Sequence, residues 1–143
     1  MATLTLFQQF KEDLAKGVHN FTSDASCTVT VALCNAANAP SASSHSVLAN
    51  LTQIAYTNLS SRVVTGITAE HTAGTVPFTA TDLVLSASGG AVAAFRYIVF
   101  YNDDPTSPAD PLIGFLDYGS DLTLNDGESL TIDFGANGLA TLA

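Results

Sequence analysis

The sequence predicts a mainly β protein, an antiparallel β-sandwich carrying one short amphipathic helix at its N-terminus. Two observations carry that prediction. From Gly74 onward, extended runs recur between turn-forming residues, and in the last of them Leu122, Leu124, Leu130, Ile132 and Phe134 hold even positions while Asp121, Thr123, Ser129, Thr131 and Asp133 hold odd ones. A period of two marks half-buried strands. Near the start, by contrast, Leu6, Phe7, Phe10, Leu14 and Val18 recur at helical spacing.

The 143 residues fit one domain spanning 1–143, with a helical arm over 1–20 and the β-sandwich over 25–143. In the arm, Lys11, Glu12, Asp13 and Lys16 fall on the polar side, and Gly17 is placed to end the helix. Cys27 to Cys34 reads as the first strand, with Val29, Val31 and Leu33 on one face and Thr28 and Thr30 on the other. The segment Asn35 to Ser46 has no periodicity and is long for a connection, which predicts a loop that contacts a partner or stays mobile. Ser46 can cap a helical turn through VLANLTQI, and Ser61 to Thr68 reads as extended.

Strands are then predicted over Thr75 to Ala80, Asp82 to Ala87 and Ala93 to Asn102, with a hairpin turn at Ser88-Gly89-Gly90. In the third of these, Phe95, Tyr97, Val99 and Tyr101 share one face while Ile98 and Phe100 share the other. Both faces call for burial, so this strand belongs at the sheet centre or at a subunit contact. Asn102 to Pro111 holds three prolines and three aspartates, an exposed loop, and extended structure resumes from Leu112 to Tyr118. The loop Asn125-Asp126-Gly127 predicts a hairpin that sets Leu122 opposite Leu130 and keeps the even residues on one face.

Charged residues make up only 12% of the chain, well below the roughly 25% of typical soluble domains, and Ser, Thr, Asn and Ala replace them. Such a neutral surface suits contact with other protein. The net charge of −9, with Lys11, Lys16, Arg62 and Arg96 as the only cations, opposes direct nucleic-acid binding. The opening MATLTLFQQF lacks a basic start and an apolar core, and no run approaches a membrane span, so no membrane association is expected and synthesis in a cytosol is. Cys27 and Cys34, seven apart in one strand, point to opposite faces and stand roughly 20 Å apart at about 3.3 Å per residue. They are expected to be reduced and partly buried, without a metal role.

No catalytic or metal-ligating pattern is present. His19, His45 and His71 stand alone and read as solvated or capping residues, and the sequence lacks G-x-S-x-G, H-E-x-x-H and Walker-type loops. The carboxylates cluster at Asp103, Asp104 and Asp110 and at Asp117, Asp121, Asp126 and Glu128, but not in the order of a calcium loop. The reading is therefore of a non-enzymatic protein without cofactors. Asn20-Phe21-Thr22, Asn50-Leu51-Thr52 and Asn58-Leu59-Ser60 match the glycosylation pattern at the frequency chance provides.

The segments LFQQFKEDLAKGVHNF, CTVTVALCN, SGGAVAAFRYIVFYNDD and PADPLIGFLDYGSDLTLNDGESLTIDF together resemble a family of small virion structural proteins of tailed bacteriophages. Within it, capsid decoration or cement proteins are the most similar, and that resemblance implies a homotrimer seated on the major capsid protein at the capsid surface. It implies no catalytic residue. The expected capsid contacts are Leu4, Leu6, Phe7 and Phe10 in the arm and Asn35, Asn38, Pro40 and His45 in the loop, with Phe95, Tyr97, Val99 and Tyr101 at the core or the oligomer axis. Two other readings stand beside it, a tail or head-fibre component contacting the host and a carbohydrate-binding β-sandwich module. The second lacks Trp and would have to stack sugars on Tyr56, Tyr97, Tyr101 or Tyr118.

Overall fold

The computed structural model describes residues 3–143. It is mainly β, with antiparallel sheets and one short N-terminal helix, as the sequence predicts. The elements run β1 (Thr5–Leu6), α1 (Gln8–Ala15), β2 (Val29–Cys34), β3 (Thr68–Ala69), β4 (Val76–Thr79), β5 (Leu83–Ser86), β6 (Phe95–Asn102), β7 (Leu112–Leu122), β8 (Ser129–Ile132) and β9 (Thr141–Leu142). Single 3₁₀ turns at Ala36–Asn38 and Leu48–Asn50 follow β2. The strands form a four-stranded sheet in the order β1-β7-β6-β2, a three-stranded sheet β3-β4-β9 and a pair β5-β8.

β6 is an inner strand of the largest sheet, and Phe95, Tyr97, Val99 and Tyr101 are buried together with Ile98 and Phe100 on the other face. These four residues are therefore core. β2 beside it is buried along its whole length, Thr30 included, because both its faces and its outer edge are covered. That edge is closed by the chain from Ile54 to Val64: Ile54 N donates to Leu33 O (2.9 Å), Val31 N to Arg62 O (2.9 Å) and Val64 N to Val29 O (2.8 Å). A covered edge removes a template for unwanted strand pairing. Cys27 precedes β2 rather than lying in it, and both cysteines are free and fully buried, deeper than the sequence suggests. Burial raises their thiols to about 12 for Cys27 and about 11 for Cys34, so both are held as the neutral form.

The N-terminal segment is not a detached arm. Thr5 and Leu6 pair with Phe115 and Gly114 of β7, so the helical spacing assigned to Leu6 gives way to a strand, and the helix begins two residues later. Gly114 has no side chain to spare here: a Cβ on it would sit 2.9 Å from Thr5 O. α1 ends in a Schellman motif, with Val18 N donating to Asp13 O (2.9 Å), Gly17 N to Leu14 O (3.2 Å) and Gly17 at φ +76°. Phe10 on its inner face meets Phe21 and Phe78 of β4, ring centroids 6.3 and 6.5 Å away. Asp13, placed on the polar side by sequence, is buried instead, its Oδ1 accepting from Gln9 Nε2 at 3.0 Å.

Both predicted hairpins are corrected. The Ser88-Gly89-Gly90 turn is present, with Gly89 at φ +84° and Gly90 at φ +150°, but the strands flanking it belong to different sheets. Likewise Gly127 takes φ +85° in the predicted turn, yet β8 pairs with β5, setting Leu130 against Leu85 and Ile132 against Leu83, while Leu122 of β7 pairs with Phe95. The alternation itself is kept: Leu124, Ile132 and Phe134 are buried and the odd-numbered neighbours are exposed. Each run thus buries the face the sequence assigns to it, against a different partner. Phe134 closes the core by meeting Phe100 of β6 at 5.7 Å.

Candidate functional site

The expected contact residues separate into two groups. Phe7 and Phe10 are fully buried, Phe7 packing on Phe115 at 5.3 Å, so neither is available to a partner in this fold. The physical reason is that the β1–β7 pairing, continued by Phe7 N donating to Ile113 O (3.2 Å), holds Phe7 against β7, while Phe10 lies on the inner face of α1. Pro40 is buried as well, whereas Leu4, Leu6, Asn35, Asn38 and His45 remain partly accessible.

Nevertheless, the structure joins the two segments. Gln8 N at the start of α1 donates to Ala42 O (2.9 Å), and Leu112 N donates to Ser46 O (2.9 Å), so the Asn35–Ser46 loop is tied to α1 and to β7. Further bonds hold it in place, one of them to Asp121 of β7 and the rest within the loop. Asn38 Nδ2 donates to Asn35 Oδ1 (2.9 Å), Ala36 N to Asp121 Oδ1 (2.9 Å), and Ser41 N to His45 Nδ1 (3.1 Å) while His45 N returns to Ser41 O (3.0 Å). His45 is a capping residue, as the sequence suggests. Asn50 Oδ1 accepts from Ser46 N (2.9 Å) and Val47 N (3.1 Å), so Asn50 rather than Ser46 organises the following turn. Asn38, His45, Asn50 and Thr52 line a shallow polar depression of about 290 Å³.

This face has no charged residue of its own. No Asp, Glu, Lys or Arg occurs between Ala25 and Ser61. Its side chains can donate and accept hydrogen bonds, but the one imidazole has its Nδ1 occupied, and the carboxylate that reaches the segment, Asp121, accepts from Ala36 N (2.9 Å). The arrangement fits recognition of neutral polar surface. Among the described residues no group of three or more His, Cys, Asp or Glu is placed to hold a metal.

Sequence reasoning missed several functional-looking side chains. His19 is not solvated: its ring lies between Phe10 (5.1 Å) and Phe21 (5.8 Å), and Asn102 Nδ2 approaches Nδ1 at 3.3 Å inside the core. Burial lowers its pKa to about 4, opposed by the charge of Asp13. Asp24 accepts from Gly66 N (3.0 Å) and Ile67 N (2.9 Å), fixing the chain that leads into β3. Of the four tyrosines, Tyr97 and Tyr101 are buried and Tyr56 is covered by the Arg62 guanidinium at 3.8 Å, which leaves Tyr118, 50% exposed, as the one open ring. A lone ring is a poor sugar platform.

No family model matches the chain. No curated protein and no solved structure matches it either. No helix among the described residues is long and apolar enough to cross a membrane.

Proposed function

We propose that the protein is a structural component of a tailed-phage virion, a decoration protein that binds the assembled shell through its major capsid protein and reinforces it as a homotrimer. The sequence resemblance motivates the reading, and the observation that supports it is the hydrogen-bonded Asn35–Thr52 face, whose own residues carry no charge and which is braced against α1 and β7. A rigid surface of this kind loses little entropy on docking and presents many neutral donors and acceptors. Binding only the assembled lattice stabilises that lattice by mass action, and three linked contacts multiply the effect. The three sheets are taken as the layers of a β-sandwich, on the strength of the Phe100–Phe134 contact that ties the C-terminal segment to the central strand.

The contact set is revised accordingly. Asn38, His45, Asn50 and Thr52 replace Phe7 and Phe10 as the residues to alter. The test is cryo-electron microscopy of purified protein mixed with particles that lack it. Density repeated over the icosahedral shell, lost with Asn38→Asp plus Asn50→Asp, is the expected result. Density confined to the tail would move the protein to a tail or fibre role, and no density on any particle would overturn the virion reading.

A further inference from the structure

β8 has a second edge that no strand among the described residues fills. Along β8, Leu130 and Ile132 face Leu85 and Leu83 across the β5 ladder. On β5, Ser86 and Val84 turn their backbone groups the other way, to Ser60, through Ser60 N donating to Ser86 O (2.9 Å) and Ser60 Oγ to Val84 O (3.3 Å). The alternation of an antiparallel ladder then assigns the β5-facing bonds to Leu130 and Ile132, and points the N–H and C=O groups of Ser129 and Thr131 outward. Among the described residues no strand pairs with that edge, and both residues are exposed.

A four-residue edge strand is by itself ordinary. What distinguishes this one is the groove beside it. β7 and β8 diverge after the Asn125–Gly127 turn, and between them lies a depression of about 330 Å³ lined by Tyr118, Leu122, Leu124, Glu128, Ser129 and Leu130. The β7 wall bulges there, because a single β6 residue, Arg96, stands between pairs that bracket Tyr118–Asp121. Tyr118 is thereby left half exposed next to the partly buried Leu122 and Leu130. Unpaired backbone and adjacent apolar side chains are the two requirements of strand addition, in which main-chain bonds give affinity and alternate side chains fill pockets.

Charge selects the occupant. From Asp117 to Phe134 the chain carries Asp117, Asp121, Asp126, Glu128 and Asp133 and no Lys or Arg. Among the described residues Asp117 alone of these has a cationic partner, Arg96, at 2.7 Å; the others bond backbone N–H groups, as Asp126 does with Gly89 N (2.9 Å) and Glu128 with Asn125 N (2.8 Å), and have no cation paired with them there. A second copy would bring another −9 to this rim. We propose that the open edge of β8 and its groove accept an extended, basic segment of a partner protein as an added strand. The proposal goes beyond the virion reading and does not depend on it.

The test uses the intact protein and a capped peptide of about six residues alternating Lys and Val, a typical strand length. Amide hydrogen exchange followed by NMR is expected to slow at Ser129 and Thr131 with peptide present. The Glu–Val analogue is expected to bind at least about tenfold more weakly, and Thr131→Pro, which removes an outward N–H without touching the β5 ladder, to weaken binding by a similar factor. Should that variant misfold, the Lys–Val peptide N-methylated at every residue tests the same backbone bonding from the other side and is expected not to bind. Unchanged exchange at both amides, equal binding of the acidic peptide, or undiminished binding of the N-methylated one would each overturn the proposal.

Discussion

Acid should destabilise this fold through His19, and the size of the effect follows from its surroundings. The ring is 5% exposed, lies between Phe10 and Phe21, and has Nδ1 beside Asn102 Nδ2, an arrangement that suits neutral imidazole accepting that bond. Among the described residues its Nε2 has no partner, and the buried Asp13 Oδ2 has none either. The pKa falls from the ordinary 6.5 to about 4 because desolvation outweighs the attraction of Asp13. For a base whose pKa is lower in the folded state, the unfolded chain binds the extra proton between those two values, so stability is lost as pH falls from about 6.5 to about 4 and changes no further below that. At about 1.36 kcal/mol per pH unit, the full gap corresponds to about 3 kcal/mol. The assay is urea unfolding by circular dichroism at several pH values for wild type and His19→Phe. Subtracting the two curves cancels the carboxylates and the other histidines, and the difference should grow by about 3 kcal/mol over this window. Parallel curves would refute a neutral, desolvated His19.

Three further perturbations test the packing. Gly138→Ala should cost several kcal/mol of stability, because Gly138 sits at φ +64° and a Cβ there would collide with Phe78 O, a backbone atom that cannot step aside; an unchanged melting temperature would contradict the bridge between Gly138 and Phe78 of β4. Asp24→Ala strips the acceptor from Gly66 N and Ile67 N and should cost about 1–3 kcal/mol, read by faster amide exchange at those two residues before global unfolding. Phe10→Ser should lower the melting temperature of the whole domain rather than free an arm, since truncating a buried Phe costs roughly 3–5 kcal/mol; a fold of undiminished stability would mean that α1 is dispensable.

The faces of the strands were legible in the sequence, and their partners were not. Alternation at Leu130 and Ile132 fixes which side is buried, but Leu83 and Leu85 on β5 satisfy that burial as well as Leu122 and Leu124 would. Turn chemistry at Gly127 was equally sound and equally silent about where the chain goes next. The N-terminal misreading has a similar origin: Leu4 and Leu6 alternate as a strand, yet Leu6 and Phe10 also share helical spacing, and only the fit of β1 over Gly114 decides between the two. Residue type points His19 and Asp13 to solvent, and nothing local to either signals that both are buried, His19 between Phe10 and Phe21. The neutral run from Ala25 to Ser61, by contrast, could be read directly, and it became the candidate face once the bonds from Gln8 and Leu112 braced it.

Charge is distributed along the chain so that salt distinguishes its two surfaces. After Arg96 the sequence holds no further Lys or Arg while the acids continue through Asp133, whereas the segment Asn35 to Thr52 has no charged residue of its own and meets the carboxylate of Asp121 at Ala36 N. Exposed charges are screened over about 8 Å at physiological ionic strength and over about 3 Å at 1 M salt. Attraction of a basic strand to the β8 edge therefore weakens steeply as salt rises. Docking through the neutral loop depends on hydrogen bonds and apolar contact, which salt hardly alters. Shell occupancy of the protein on particles should accordingly stay nearly constant between low and high salt, while binding of the Lys–Val peptide to β8 should fall by about tenfold or more. If particle binding fell with salt as steeply as peptide binding, the acidic β8 edge rather than the neutral loop would be the surface that meets the shell, and the two assignments would collapse into one.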